Sequence, residues 1–293
     1  MRKPLFTGAC TALVTPFDKG QIHFAMMEKL LKRQMDAGIP AVVICGTTGE
    51  SATLTDRERI ELFQFSKDFC GEKCLIIAGT GSNCTSHAVE LSAAAQENGA
   101  DALLLVSPYY NKASEDGLMT HYETIASTVK IPMILYNVPS RTGLDIPVKV
   151  YKELAALPKI AGVKEASTDI GKILRIREDC PNDFYIWSGN DDLTVPVMAT
   201  GGVGVISVAS NVLPHAVKIM TDHALEGRIH EAMMDQIQLL PLIRNLFSTV
   251  NPIPVKAAMK LVGYDCGECR LPLTSLPRDR LPLLKEAIKK CTA

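Results

Sequence analysis

A chain of 293 residues, 47% of them hydrophobic, can bury one large α/β core or two ordinary ones. Its 31 lysines and arginines nearly balance 32 aspartates and glutamates, which excludes the basic excess that a nucleic-acid or acidic-membrane surface needs. Charges are interspersed, no run approaches the roughly 18 apolar residues of a membrane span, and the first residues lack an apolar signal stretch, so the chain reads as cytoplasmic.

In chain order, short apolar and β-branched runs recur at 9–15, 41–45, 74–78, 102–106, 133–136, 160–164, 184–187 and 202–207. Helix-like segments alternate with them, near 23–36, 55–69, 83–98, 114–128, 145–156, 168–179, 191–199 and 210–225. Thr55-Asp-Arg-Glu58 has capping-box form, and Ser114 and Asn211 stand where helices could open. Gly38 and Gly99 suit left-handed helix ends. Strand-like runs that are apolar throughout are buried on both faces, the mark of a parallel sheet. Eight β-then-α repeats in about 220 residues is the count of a TIM (β/α)8 barrel. A doubly wound sheet is the rival, but it needs a glycine-rich turn after its first strand. Here that strand runs into Thr15-Pro-Phe-Asp18. Past Leu225 the chain reads as helices near 228–247, 252–262 and 279–290. The pattern predicts a barrel domain over 1–225 and a C-terminal helical subdomain over 226–293.

Nine cysteines, at 10, 45, 70, 74, 84, 180, 266, 269 and 291, are scattered and odd in number, which predicts reduced thiols. Cys266-Gly-Glu-Cys269 has CxxC spacing. No second CxxC or histidine pair completes a zinc set, so it reads as a surface turn and no metal site is predicted.

Barrel chemistry sits at the C-terminal ends of the strands. The unusual residues collect there: Gly46-Thr47-Thr48-Gly49-Glu50, Ser107-Pro108-Tyr109-Tyr110-Asn111, Tyr136-Asn137-Val138-Pro139-Ser140-Arg141, Lys164, Ser188-Gly189-Asn190-Asp191-Asp192 and Ile206-Ser207. Each alone fits an ordinary polar loop. Lys164 ends an apolar run, Ile160-Ala-Gly-Val-Lys164. Its local context fits a lysine that follows a strand into water as well as it fits a buried amine. Burial disfavours the ammonium form, and a neutral amine attacks carbonyls to give a Schiff base. The neighbours tip the balance. A Gly-Thr-Thr-Gly turn offers N–H groups and hydroxyls to a small carboxylate. Tyrosines can pass the protons that imine chemistry needs. Arg141 offers a planar fork for a second carboxylate.

With these residues the sequence resembles the dihydrodipicolinate synthase family, within the N-acetylneuraminate lyase-like pyruvate-dependent aldolases. The resemblance spans nearly the whole chain: GTTGES at 46–51, AGTGSN at 78–83, SPYYNK at 107–112, YNVPSRTG at 136–143, VKEAS at 163–167, SGNDD at 188–192, GGVGVISV at 201–208, NPIPVK at 251–256 and RLPL at 270–273. It implies condensation of pyruvate with L-aspartate 4-semialdehyde to 4-hydroxy-tetrahydrodipicolinate, the first committed step toward diaminopimelate and lysine. Lys164 would form the imine with pyruvate, and no cofactor beyond that covalent Schiff base is implied. Tyr136 would relay protons, linked through Thr47 to Tyr110. Thr47 and Thr48 would hold the pyruvate carboxylate and Arg141 the semialdehyde carboxylate. Gly189 and Ile206 would lend backbone groups. A homo-oligomer is implied, a homotetramer built as a dimer of dimers, with Tyr110 crossing into the neighbouring subunit's site.

Two departures qualify the likeness. After VKEAS this chain has Thr168-Asp169 where the family often has Gly-Asn, beyond the reacting lysine. Lysine-inhibited members bind lysine near positions matching Ser51, Ala52, Asp56, Arg59, Asn83, His87 and Tyr109. Bacterial inhibited members carry a glutamate at the His87 position and a histidine at the Asp56 position. A histidine cannot supply the negative charge that pairs with lysine's ammonium, so weak or absent feedback is implied. Two rival functions use the same scaffold. One is a lyase releasing pyruvate from 2-keto-3-deoxy sugar acids, which would want hydroxyl partners in place of Arg141. The other is an inactive barrel acting as a small-molecule sensor, which would have lost the lysine or the tyrosines.

Overall fold

The computed structural model describes residues 2–292. Eight parallel strands close into a barrel: β1 (Gly8–Ala12), β2 (Ala41–Ile44), β3 (Leu75–Gly79), β4 (Ala102–Val106), β5 (Met133–Asn137), β6 (Ile160–Glu165), β7 (Tyr185–Ser188) and β8 (Gly204–Ser207). Each pairs with its sequence neighbours and β8 pairs with β1, so the sheet has no edge. Between and after the strands lie helices α1 (Phe24–Asp36), α2 (Asp56–Cys70), α3 (Thr85–Glu97), α4 (Glu115–Thr128), α5 (Val148–Leu154), α6 (Ile170–Asp179), α7 (Thr194–Ala199) and α8 (Pro214–Leu225). Helices α9 (Ile229–Leu246), α10 (Ile253–Leu261) and α11 (Arg280–Thr292) follow the barrel. The TIM barrel read from the sequence is the observed fold. Among the described residues no helix is long and apolar enough to cross a membrane.

Alternation along the strands makes two cores. In β2, Ala41 and Val43 fill the barrel interior with Ile77, Leu104 and Trp187. Val42 and Ile44 pack outward against the helices. Phe6 joins the inner core from the N-terminal end, its ring stacked on Trp187 at 5.1 Å. The capping signals act as read: Thr55 and Glu58 form a reciprocal capping box, and the Ser114 hydroxyl accepts from the Gly117 N–H. Gly38 (φ +73) and Gly99 (φ +87) follow the ends of α1 and α3 in the left-handed region.

The alternation breaks once where it matters. The pairing of β5 with β6 shifts between Met133 and Ile134, giving β6 one extra residue at Ala161–Gly162. Gly162 has φ +155, and a Cβ there would stand 1.9 Å from the Tyr185 carbonyl oxygen. Ala161 faces the inner core and Val163 the outer core. Lys164 is thereby turned inward and Glu165 outward.

Some boundaries differ from the sequence reading, for physical reasons. The first strand, expected over 9–15, stops at Ala12 because the Val14 N–H is taken by the Asn211 side chain at 3.1 Å. Asn211 was a candidate helix cap. Instead it accepts from Val14 and donates to the Ala12 carbonyl at 2.8 Å, and α8 opens at Pro214. The helix expected over 191–199 begins as a 3-10 turn, Asp191–Leu193. Cys266 does not lie in a surface turn; it is fully buried, and its carbonyl accepts from the Phe17 N–H at 2.9 Å. Burial pushes the Cys266 and Cys269 thiols up to about 12. All nine cysteines are unpaired.

Because Gly162 has no room for a side chain, Gly162→Ala is expected to cost about 3 kcal/mol or more. Chemical denaturation measures this; a wild-type midpoint would show that the bulge tolerates a methyl group.

Candidate active site

Lys164 is 5% exposed inside the barrel, and its Nζ lies 4.3 Å from the centroid of the Tyr136 ring. The two residues are register partners on β5 and β6. Among the described residues Lys164 makes no ion pair within 4.0 Å. The nearby acid Asp191 is committed elsewhere. It accepts from the Ser207 hydroxyl, from Val208 N at 2.9 Å and from Ala209 N at 3.2 Å. Burial pushes the Asp191 carboxyl up, while those donors and the Lys164 charge pull it down. Cys10, fully buried in the inner core, has its thiol pushed up by burial and pulled down by Lys164.

The loop after β2 is bent by Cys45 (φ +55) and Glu50 (φ +57). Its Glu50 side chain turns away from solvent and pairs with Lys256 of α10 at 2.5 Å; the side chains are 0% and 3% exposed. Glu50 also accepts from the Arg270 N–H at 2.9 Å. Lys256 and Arg270 both lie over the Phe17 ring, at 4.2 and 4.5 Å from its centroid. The Arg270 fork grips Glu58 at 2.9 and 2.5 Å and the Thr53 carbonyl at 2.9 Å. Thr15 donates to the Gly49 carbonyl at 2.7 Å. The Gly-Thr-Thr-Gly turn is thus held from three sides.

Thr48 is buried and Thr47 half-buried. The Thr48 hydroxyl accepts from Asn251 Nδ2 at 3.0 Å, and the Asn251 carbonyl accepts from Arg141 at 3.1 Å. Asn251 therefore joins two residues singled out from the sequence, and sequence reasoning gave it no role. Its signal was the NPIPVK segment that it opens. A cavity of about 300 Å³ has Thr47, Arg59, Tyr109, Val138, Arg141 and Asn251 in its lining. A smaller one of about 30 Å³ reaches Tyr136 and Thr47. Lys164 lines neither cavity; its Nζ lies against the Tyr136 ring.

The remaining candidates fall differently. Ile206 is an inner-core residue, 1% exposed. The Gly189 N–H is already bonded to the Glu165 carbonyl at 2.7 Å, which leaves its carbonyl to lend. Tyr110 is not brought to the site by its own chain. It is 90% exposed and held at φ +72. That conformation costs a non-glycine residue of order 1–3 kcal/mol. The next residue anchors the turn: Asn111 Nδ2 donates to the Asn83 carbonyl at 2.9 Å.

A family model described as the dihydrodipicolinate synthetase family matches residues 5–291. The chain belongs to that family. It is 46% identical over 290 residues to the 4-hydroxy-tetrahydrodipicolinate synthase of Acetivibrio thermocellus, covering 99% of this chain and 98% of the relative. It superposes on the dihydrodipicolinate synthase of Aquifex aeolicus with a TM-score of 0.96 at 41% identity, covering 98% of each chain. A relative from Cyanidioschyzon merolae, solved with lysine bound, gives 0.96 at 39% identity, covering 99% of each chain. Family membership accounts for the barrel and the order of the rim segments.

The grip on the β2 loop has a pH signature. The Arg270 guanidinium, joined by the Thr55 N–H and hydroxyl, holds the Glu58 carboxyl down at about 2 against an ordinary 4.5. A depressed carboxyl stabilises the fold above its unfolded value and loses that contribution as pH falls toward the folded one. Glu58→Gln is expected to cost about 1 kcal/mol at neutral pH, since solvent reaches the pair. The mutant and wild-type stability curves should converge on acidification from pH 4.5 to about 2. Parallel curves would mean the Glu58–Arg270 pair contributes nothing.

Proposed function

We propose that the chain is a 4-hydroxy-tetrahydrodipicolinate synthase that condenses pyruvate with L-aspartate 4-semialdehyde through an imine at Lys164. The observation that carries the reading is Lys164 itself, buried beside Tyr136 with no ion-pair partner among the described residues, in a chain whose full length matches synthases. An amine so placed is free to attack a carbonyl.

The Lys164 amine adds to C2 of pyruvate, and loss of water gives the imine. Thr47 and Thr48 hold the pyruvate carboxylate, and Tyr136 moves the protons that addition and dehydration require. Loss of a C3 proton gives the enamine, whose carbon attacks the semialdehyde aldehyde and forms the new C–C bond. The acceptor's own amine then attacks C2, closes the ring and releases Lys164. Arg141, exposed at the mouth, suits the acceptor's carboxylate better than it suits a sugar's hydroxyls, which favours the synthase over a sugar-acid lyase. The chemistry draws on the lysine amine and calls for no other cofactor.

Tyr110, exposed and in a costly backbone conformation, supports an assembly in which a second copy receives it. We take the active form to be a cytoplasmic homotetramer, a dimer of dimers. Feedback by lysine is weak in this reading. His87 Nε2 lies 3.0 and 2.9 Å from the two Asp56 oxygens, and His87 Nδ1 is 3.2 Å from the Ser82 hydroxyl. The Asp56 carboxylate is thus shared with His87, and the His87 position itself offers no carboxylate to an ammonium.

Borohydride reduction in the presence of pyruvate is expected to add a pyruvate-derived mass on Lys164 and nowhere in Lys164→Ala, read by peptide mass spectrometry. A folded wild type without the adduct overturns the mechanism. In steady-state assays, L-lysine at millimolar concentration should leave the rate unchanged; inhibition at or below that level contradicts the regulatory reading.

A further inference from the structure

The outward-facing neighbours of the reacting pair are densely bonded. Tyr136 stands opposite Lys164, and Asn137 stands opposite Glu165. Asn137 and Glu165 lie outside the barrel interior, 0% and 2% exposed. Asn137 Nδ2 donates to Glu165 Oε1 at 2.8 Å and to Asp145 Oδ1 at 2.7 Å, and its Oδ1 accepts from the Ile146 N–H at 3.0 Å. Glu165 also accepts from the Ser167 N–H at 2.9 Å and from the Tyr151 hydroxyl at 3.1 Å. Lys172 of α6, 3% exposed, bonds Asp145 and stands 3.5 Å from Glu165 Oε2. The Asn137 amide can face only one way, since its reverse would set oxygen against two carboxylates.

Burying a carboxylate and an ammonium is a poor route to stability, because apolar side chains of the same volume often do as well or better. None of these groups faces the barrel interior, where Lys164 and Tyr136 lie. What they share is their place, at the level of the reacting pair and on the opposite face of the same two strands. We propose that Asn137 is a positioning residue for the chemistry at Lys164. Its side chain clamps the C-terminal ends of β5 and β6, and the clamp fixes the Lys164–Tyr136 separation on which proton transfer to and from the imine depends. The proposal rests on the reading that Lys164 forms that imine. Pyruvate's carboxylate is held on another strand's loop, by Thr47 and Thr48, so the clamp governs turnover and not substrate affinity.

The test uses the full chain with Asn137→Ala and Glu165→Gln, each checked for folding by thermal melting. In folded Asn137→Ala, kcat is expected to fall about tenfold or more while KM for pyruvate stays within about twofold. Borohydride trapping on Lys164 should slow in step with kcat. Glu165→Gln keeps the shape but replaces the carboxylate that the Asn137 amide bonds with a weaker, neutral acceptor, which loosens the clamp, and a fall of about threefold in kcat at unchanged KM is expected. If Asn137→Ala does not fold, Glu165→Gln decides alone. A lowered melting temperature with wild-type kcat per folded site would overturn the proposal, as would parallel loss in kcat and pyruvate affinity. A wild type that traps no pyruvate removes the Lys164 reading and the clamp with it; a wild type that traps normally beside unaltered variants removes only the clamp.

Discussion

A strand shows successive side chains to opposite faces, so one added residue decides which of two neighbours enters a barrel. In β6 that residue lies at Ala161–Gly162, where the ladder with β5 shifts. Without the shift the carboxylate of Glu165 would point at Tyr136 and the amine of Lys164 would face the helices. With it, the amine enters an interior of apolar side chains, and the carboxylate meets Lys172 and Tyr151, which are placed to neutralise it and bond it. The chemistry of the inner face and the electrostatics of the outer face are two results of the same local irregularity. Only a glycine tolerates it, because the Tyr185 carbonyl fills the space a side chain would need.

The second organising interaction is the buried Glu50–Lys256 pair. Such pairs are poor stabilisers. Here the Arg270 N–H bonds the second Glu50 oxygen, the Glu268 carbonyl accepts from Lys256, and the Phe17 ring lies beneath both cations. Asn251, Lys256 and Arg270 all come from beyond residue 225. The segment that follows the barrel, both its helix α10 and its loops, therefore shapes the loop that bears Thr47 and Thr48, and a boundary drawn at that residue separates elements but not the candidate site.

The barrel, its helix caps and the polar residues of its rim were legible because each leaves a local signal: a period, a capping pattern or a polar cluster after an apolar run. What escaped depends on distant partners. Glu50 and Arg270 are 220 residues apart. Asn211 read as a helix cap, yet it bonds Val14 and Ala12, 197 and 199 residues away. Asn137, Glu165 and Lys172 looked like ordinary polar residues at the edges of strands and helices, since burial of a charge is invisible until the elements are packed. Cys266 sat in a turn-like sequence whose carbonyl is taken by the N–H of distant Phe17. The bulge was the subtlest miss, because Gly162 inside a strand-like run signals an irregularity without saying which neighbour it redirects.

Arg141 is built quite unlike the groups below it. It stands exposed on a one-turn helix, Pro139–Thr142, and among the described residues its one side-chain hydrogen bond runs to the Asn251 carbonyl. Lys164 and Tyr136 are locked into strands, whereas Arg141 is hung on the rim. In the proposed function the barrel thus divides into a fixed reactor and an exchangeable mouth: an engineer would retune the acceptor by rebuilding the turn around Arg141 and leave alone the strand registry that places the proposed nucleophile.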